Sequence, residues 1–121
     1  MQSINLSESV EAIGKYAFSH CYSLQSINLP ESLKVISWGT FSGCKSLKSI
    51  ELPEGLEKID THAFYRCDSL KSINLPEGLE EIGESAFKFC DSLQSIEMPD
   101  TRFQYLTAED LIEAGLSEFV S

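Results

Sequence analysis

A period of 23 residues organises most of this chain. The stretches 2–24, 25–47, 48–70 and 71–93 align without a gap, and the last two are identical at 16 of 23 positions. Such a period is typical of solenoids, in which each repeat is a small unit that cannot bury its apolar edge alone. Because stacked repeats merge these edges into one core, equivalent residues are predicted to lie in rows. The row that tests this prediction most directly contains Phe18, Phe41, Phe64 and Phe87.

Every repeat predicts the same short elements. Residues 26–29 alternate polar and apolar side chains, which is the pattern of a half-buried strand, and Pro30 then ends that strand because it has no N–H to donate. Residues 56–59 predict a second short strand with Leu56 and Ile59 pointing inward. Residues 63–67 carry apolar side chains at spacings of three and four, which favours a short helical turn.

The recurring order of a strand, Pro-Glu-Gly-Leu, isoleucine, Ala-Phe, Cys and Ser-Leu resembles the BspA-like leucine-rich repeats over residues 1 to about 100. The resemblance implies an α/β repeat fold, a right-handed solenoid with a parallel β-sheet on its concave face. It also implies a bacterial or protozoan surface protein that binds host proteins or other cells. An extracellular or cell-surface location follows from the resemblance, and a cytoplasmic location stays open because the first residues show no secretion signal.

The whole of 1–121 is predicted to be one solenoid domain, with 94–121 as a modified final repeat. Residues 107–115 read as a helix that Thr107 caps, with Asp110 in the capping-box position and Gly115 at the end. A solenoid needs a cover over its last coil, and this helix is the predicted cover. The alternative is a helix that docks a partner through Leu111, Ile112, Leu116, Phe119 and Val120.

The first coil has no comparable cover in the sequence. Its strand is therefore expected to offer an open edge to another chain. Two interpretations stay open, a piece cut from a longer solenoid and a homodimer that forms through the N-terminal coil.

The net charge of the chain limits the kinds of ligand that it is expected to bind. Nineteen acidic against nine basic residues give a net charge of −10, which argues against nucleic acid and anionic membranes as ligands. No window reaches the roughly 18 apolar residues that a membrane-spanning helix needs, so no membrane insertion is expected. The regular acidic column is predicted to be a solvated face, with calcium bridging, a basic protein partner or nucleic-acid mimicry as its alternatives. It contains Glu8, Glu31, Glu54, Glu77 and Asp100.

The cysteines and histidines do not predict a metal site or a cofactor. Cysteine occurs once per repeat in one column, and coils about 4.8 Å apart cannot bring four sulfurs of such a column to within about 2.3 Å of one ion. The prediction is instead a column of free, buried thiols. No nucleophile elbow, phosphate loop or paired histidine ligands appear, so the chain is not expected to be an enzyme.

Candidate binding residues come from the columns that vary between repeats. In the predicted helical-turn region these columns hold aromatic and arginine side chains, the types enriched at interface hot spots. The first candidates are Trp38, Tyr65, Arg66 and Phe89, followed by Tyr16, His20 and Tyr22. The alternative for these rings is that they only cover the edge of the core, and a Ser/Asn-rich strand face is a second possible surface.

The predicted function is a non-catalytic protein–protein interaction module that binds a host or cell-surface protein. Two rivals remain: a structural spacer within a larger repeat protein, and a small intracellular regulator that dimerises through its uncapped first coil.

Overall fold

A computed structural model describes residues 3–97 and 108–119 of the chain. The strands are all two or three residues long: β1 (Ser3–Asn5), β2 (Ala12–Ile13), β3 (Ser26–Asn28), β4 (Val35–Ile36), β5 (Lys58–Ile59), β6 (Ser72–Asn74), β7 (Glu81–Ile82) and β8 (Ser95–Glu97). They are followed by helix α1 (Ala108–Glu113) and a 3₁₀ helix (Ser117–Phe119). The strands predicted within 26–29 and 56–59 are therefore confirmed as β3 and β5.

Strand pairing is parallel throughout and joins residues that are one repeat apart. The order β2-β4-β5-β7 forms one sheet, in which Ile13, Ile36, Ile59 and Ile82 are direct neighbours in turn. On the other side of the coil, β1 pairs with β3, and β6 pairs with β8. Residues 49–51 form no strand, although the Lys48 amide donates to the Gln25 carbonyl at 3.1 Å and so keeps the third coil in line. The predicted solenoid with parallel sheets is confirmed.

The predicted helical turn at 63–67 folds differently, as a series of β-turns. The Ala63 amide donates to the Asp60 carbonyl and the Cys67 amide to the Phe64 carbonyl, each at 3.2 Å. The third residues of these two turns are His62 and Arg66, whose φ angles are 58° and 59°, as in type II turns. The Tyr65 amide also donates within the coil, to the His62 carbonyl at 3.2 Å. The alternate amides of His62, Phe64 and Arg66 donate to the next coil, as in the bond from Phe64 N–H to the Ala86 carbonyl at 2.7 Å. Hydrogen bonding between coils thus replaces the bonds that a helix would make.

The core consists of the predicted row of phenylalanine rings and of the aliphatic side chains that recur in every repeat. The Phe64 ring is stacked between the Phe41 ring, with centroids 5.3 Å apart, and the Phe87 ring, with centroids 5.0 Å apart. All three side chains are essentially inaccessible to solvent. Phe18 stacks on Phe41 with centroids 5.6 Å apart but is only partly buried, because it belongs to the first coil.

Cysteine thiols tie successive coils together as hydrogen-bond donors. The Sγ atoms of Cys44, Cys67 and Cys90 lie 3.1–3.2 Å from the carbonyl oxygens of Phe18, Phe41 and Phe64, respectively. All four cysteines are free, as predicted, and only Cys21 is partly exposed. Burial raises the pKa of Cys44 to about 11. The pKa of Cys67 is also raised, first by its hydrogen bond with the Cys90 side chain and then by burial.

The segment around α1 closes the last coil. Ser85 N–H donates to the Glu113 carbonyl at 2.7 Å and Phe87 N–H to the Ala114 carbonyl at 2.8 Å. These are amides that in earlier coils donate to the following coil. The side chains that α1 and the next residues bury are Leu111, Ala114 and Leu116. The predicted cover is therefore present, while Thr107 and Val120 lie outside the described residues, as does the side chain of Phe119.

Gly115 ends α1 as predicted. The Leu116 amide donates to the Leu111 carbonyl and the Gly115 amide to the Ile112 carbonyl, both at 3.0 Å, which is the Schellman pattern. Gly115 has a φ of 96°, and a Cβ there would lie 2.9 Å from the backbone of Lys88. The cover can approach the fourth coil this closely only because residue 115 has no side chain.

We expect Phe64→Ala to lower the free energy of unfolding by about 3–5 kcal/mol, because it opens a cavity in the middle of the ring row. Urea denaturation followed by circular dichroism measures this loss. Phe89→Ala is the matched control, because Phe89 is 43% exposed, and it should cost much less. Equal losses for the two variants would contradict the assignment of Phe64 to the core.

Gly115→Ala should destabilise the protein by at least about 1–2 kcal/mol, since it places a side chain in the left-handed region against backbone atoms. Gly78→Ala serves as the control, because a Cβ at position 78 has no neighbour within 4 Å. Thermal unfolding of the two variants compares the costs, and a tolerated Gly115→Ala would show that the cover does not need this close approach.

The raised thiol pKa predicts that stability falls at alkaline pH. Below about pH 9 the Cys44 thiol is protonated in both the folded and the unfolded protein. Between pH 9.0, the usual pKa of a thiol, and about pH 11, the unfolded chain loses this proton while the folded protein retains it. The free energy of unfolding should therefore decrease with pH across this window. Urea denaturation at several pH values should give a shallower decrease for Cys44→Ala, because tyrosine and lysine titration is common to both proteins. Identical slopes would contradict the prediction.

Candidate functional site

The successive turns form one long side of the solenoid, which we call the turn face (residues 15–22, 38–45, 61–68 and 84–91). Along it runs a chain of ring contacts from the first coil to the fourth. The centroid separations are 5.7 Å for Tyr16–Trp38, 4.9 Å for Trp38–His62, 4.7 Å for His62–Tyr65 and 5.5 Å for Tyr65–Phe89. We call these five residues the aromatic ladder. Most of its contacts join residues of different coils, so the ladder exists only when the coils are stacked.

The backbone of the turn face has an unusual conformation that directs these side chains. Positive φ angles recur at two positions in each coil, and six of the residues there are not glycine: Tyr16, His20, His62, Arg66, Ser85 and Phe89. A bulky residue in this region is strained and persists only where the surroundings enforce it. Here the hydrogen bonds between coils do so, for example from Tyr16 N–H to the Trp38 carbonyl at 2.9 Å and from Arg66 N–H to the Lys88 carbonyl at 3.0 Å.

Two glycines in the second coil make room for rings of the first. Gly39 and Gly43 occupy the same two positive-φ columns, and a Cβ on either would collide with the Tyr16 or the His20 ring, respectively. The rings of the first coil therefore lie over the bare backbone of the second. This arrangement brings Tyr16 beside Trp38, where it remains 52% exposed.

Basic side chains lie over several of the rings. The Arg66 guanidinium carbon is 4.8 Å from the Phe89 centroid and 5.4 Å from the Tyr65 centroid. Lys88 Nζ lies 5.4 Å from the Phe89 centroid, and Lys45 Nζ lies 5.4 Å from that of Tyr22. These are cation–π distances, and they place positive charge beside exposed apolar area.

The structure brings together five of the seven candidate residues, namely Tyr16, Trp38, Tyr65, Arg66 and Phe89. His20 and Tyr22 form a separate pair on the first coil, with centroids 5.8 Å apart. Sequence reasoning did not select His62, which connects Trp38 to Tyr65. Its position in the Tyr16 column, two repeats along, was the signal that could have identified it.

Exposure differs along the turn face. Phe89 and Tyr22 are exposed at 43% and 55%, whereas Trp38 and Tyr65 are partly buried. The half-buried rings of Trp38 and Tyr65 offer less free area, so a structural role for them, as covers of the core edge, stays an alternative. The exposed rings and the basic groups next to them supply the area that is free for a ligand.

A second candidate surface lies on the strand face, formed by β3, residues 49–51, β6 and β8. A shallow groove of about 660 Å³ follows it. Its lining is rich in serine and asparagine, and the charged groups in it are all carboxylates: Glu31, Glu51, Glu54 and Glu97. This face is therefore polar and negative, unlike the turn face.

Three further features bear on function in the described part of the chain: grouped metal ligands, helices that could span a membrane, and buried polar atoms without a partner. Among residues 3–97 and 108–119, no three histidine, cysteine or acidic side chains are grouped as metal ligands would be. The same residues include no helix long and apolar enough to cross a bilayer. His62 Nδ1 is buried and has no hydrogen-bond partner within these residues.

The repeat architecture agrees with a family model. The model for the BspA type leucine rich repeat region matches residues 1–108, in six copies. The chain belongs to the BspA-type leucine-rich repeat family. No curated protein matches this chain.

Solved structures of bacterial leucine-rich repeat proteins resemble this member of the family. A leucine-rich repeat protein from Bacteroides ovatus is 45% identical over 82% of the chain, with a TM-score of 0.76. A leucine rich cell surface protein from Faecalibacterium prausnitzii is 34% identical over 96% of the chain, with a TM-score of 0.81. The pneumococcal vaccine antigen PcpA is 26% identical over 81% of the chain, with a TM-score of 0.78. The chain spans only 26%, 29% and 24% of these three proteins, respectively.

Proposed function

We propose that this chain is a non-catalytic protein-binding module of a cell-surface protein, and that the turn face binds the partner. One observation carries the proposal: a continuous chain of ring contacts crosses four stacked coils, and it carries the exposed rings of Tyr16 and Phe89 with the Arg66 guanidinium beside Phe89. Tryptophan, tyrosine and arginine are the side chains that contribute most to protein interfaces, and a rigid scaffold limits the entropy lost on binding. The residues we propose to contact the partner are Tyr16, His20, Tyr22, Trp38, Tyr65, Arg66 and Phe89.

The composition of the two long faces favours the turn face. Serine and glutamate, which dominate the strand-face groove together with asparagine, are depleted at interface cores. The turn-face columns that hold the candidate residues also differ from repeat to repeat, which is typical of positions that are free to serve recognition. Conversely, the strand face repeats Ser26 and Ser72 in register, as a solvated surface would.

The proposed location and partner class rest on similarity. The Faecalibacterium prausnitzii protein is described as a leucine rich cell surface protein, and the pneumococcal relative as a vaccine antigen. A module of this kind at a cell surface would meet host proteins or proteins of other cells. We therefore propose that the partner is a host or cell-surface protein.

Two rival functions have observations in their favour. The chain spans about a quarter of the length of the three relatives named above, as a spacer segment within a longer solenoid would. Leu6, Val10 and Phe18 of the first coil are only partly buried, as expected if that coil associates with another copy. A spacer would bind no partner through the turn face, and a dimerising regulator would do so only through its first coil.

We expect fluorescently labelled protein to bind intact epithelial cells, and the double variant Trp38→Ala/Tyr65→Ala to bind at least about tenfold more weakly, as for loss of two hot-spot side chains. Flow cytometry across a concentration series measures both affinities. Treating the cells with protease should abolish the signal, because the proposed partner is a protein.

Ser72→Ala/Asn74→Ala is the control variant, since both residues are exposed on β6 of the strand face. It should bind like the parent chain. Circular dichroism and urea denaturation check that all variants are folded. Unchanged binding by Trp38→Ala/Tyr65→Ala would refute the turn face as the binding surface, and loss of binding in the control would transfer the role to the strand face.

A further inference from the structure

The basic groups on the turn face differ from basic groups elsewhere in the chain. Where both partners belong to residues 3–97 and 108–119, the ion pairs given by the structure are those of Lys58, with Asp60 at 3.8 Å and with Glu81 at 3.5 Å. Arg66 and Lys88 lie instead over rings, although the chain carries nineteen carboxylate side chains. A ligand carboxylate can therefore reach these two groups without first breaking an ion pair.

The rings also orient the basic groups of Arg66 and Lys88 for binding an anion. A guanidinium over an aromatic face keeps its N–H donors in its own plane, where they match the two oxygens of a carboxylate. The Phe89 ring has Arg66 at 4.8 Å and Lys88 at 5.4 Å, so both positive charges are held beside one exposed ring. Apolar area and positive charge are thus presented together.

We infer that Tyr65, Arg66, Lys88 and Phe89 bind an extended, carboxylate-bearing segment of the partner protein. Carboxylates of the segment pair with Arg66 and Lys88, and apolar side chains between them lie against the rings of Tyr65 and Phe89. This inference rests on the proposed function, because it specifies the partner chemistry that the turn face selects.

Nearby negative charge limits what kind of anion fits. Asp68 and Asp91 follow Arg66 and Phe89 by two residues on the same turn face, and the net charge of the chain is −10. A densely charged polyanion such as a sulfated polysaccharide would be repelled by this field along its length. A short segment that alternates acidic and apolar residues can pair with the two cations and pack against the rings. It carries fewer negative charges than a polyanion, so the negative field of the chain repels it less.

The probe is a fluorescent peptide of about eight residues that alternates glutamate and tyrosine, about 26 Å long when extended. Fluorescence anisotropy should detect binding that weakens when salt rises from about 0.1 to about 1 M, as the screening length falls from about 10 to about 3 Å. A peptide with glutamine in place of glutamate should bind at least about threefold more weakly, as for loss of exposed ion pairs.

Charge variants of opposite sign test the site itself. Arg66→Gln should weaken binding of the glutamate peptide at least about threefold, and Asp91→Asn should strengthen it. Lys71→Gln is the matched control, because Lys71 is exposed but lies outside the turn face, and it should change little. Arg66→Lys should restore only part of the affinity, since lysine keeps the charge without the planar donors.

The inference would be overturned if the glutamate and glutamine peptides bound with equal affinity. It would also be overturned if Arg66→Gln bound the glutamate peptide as tightly as the parent chain does. Tighter binding of heparin than of the glutamate peptide would overturn it too, because it would assign the site to sulfated polysaccharide. The cell-binding assay separates this failure from failure of the proposed function. Cell binding that needs Trp38 and Tyr65 while the peptide does not bind refutes only the inference, whereas cell binding that is insensitive to both residues refutes the proposed function.

Discussion

In-register hydrogen bonding between coils is the constraint on which this structure depends. Each coil offers amides to its neighbour along both the short strands and the turns, as in the bond from Phe64 N–H to the Ala86 carbonyl at 2.7 Å. This register places identical side chains in contact, which is why Phe41, Phe64 and Phe87 stack and why each buried thiol reaches a carbonyl one coil away. At the C-terminal end the Glu113 and Ala114 carbonyls accept the last turn amides, so the cover substitutes for a further coil.

The same constraint creates the surface that we propose to be functional. Bonds between coils hold Tyr16, His62 and Arg66 at positive φ, a conformation that their local propensities disfavour. The strain is offset by the stacked neighbours, and the side chains emerge from a backbone that cannot relax. Rings and basic groups are therefore fixed relative to one another before any partner arrives, which reduces the entropy that binding has to overcome.

Several features of the fold were predictable because they depend on spacing alone. The strands at 26–28 and 58–59, the row of phenylalanines, the free thiols and the end of α1 at Gly115 all follow from the period and from residue chemistry. The prediction of a helical turn at 63–67 was wrong because apolar spacings of three and four also suit consecutive β-turns. What decides between them is the direction of the amides, and in this protein the alternate amides of His62, Phe64 and Arg66 bond to the next coil.

The sequence by itself determined the repeat, the register and the composition of the core, since an exact period leaves only one way to bury the recurring apolar residues. The tertiary structure alone decided which surface side chains meet. Contacts such as Tyr16–Trp38 and Tyr65–Phe89 join residues 22 and 24 positions apart, so they do not keep to one column of the repeat. His62 entered the aromatic ladder for this reason: its ring direction follows from a positive φ that only the neighbouring coils impose.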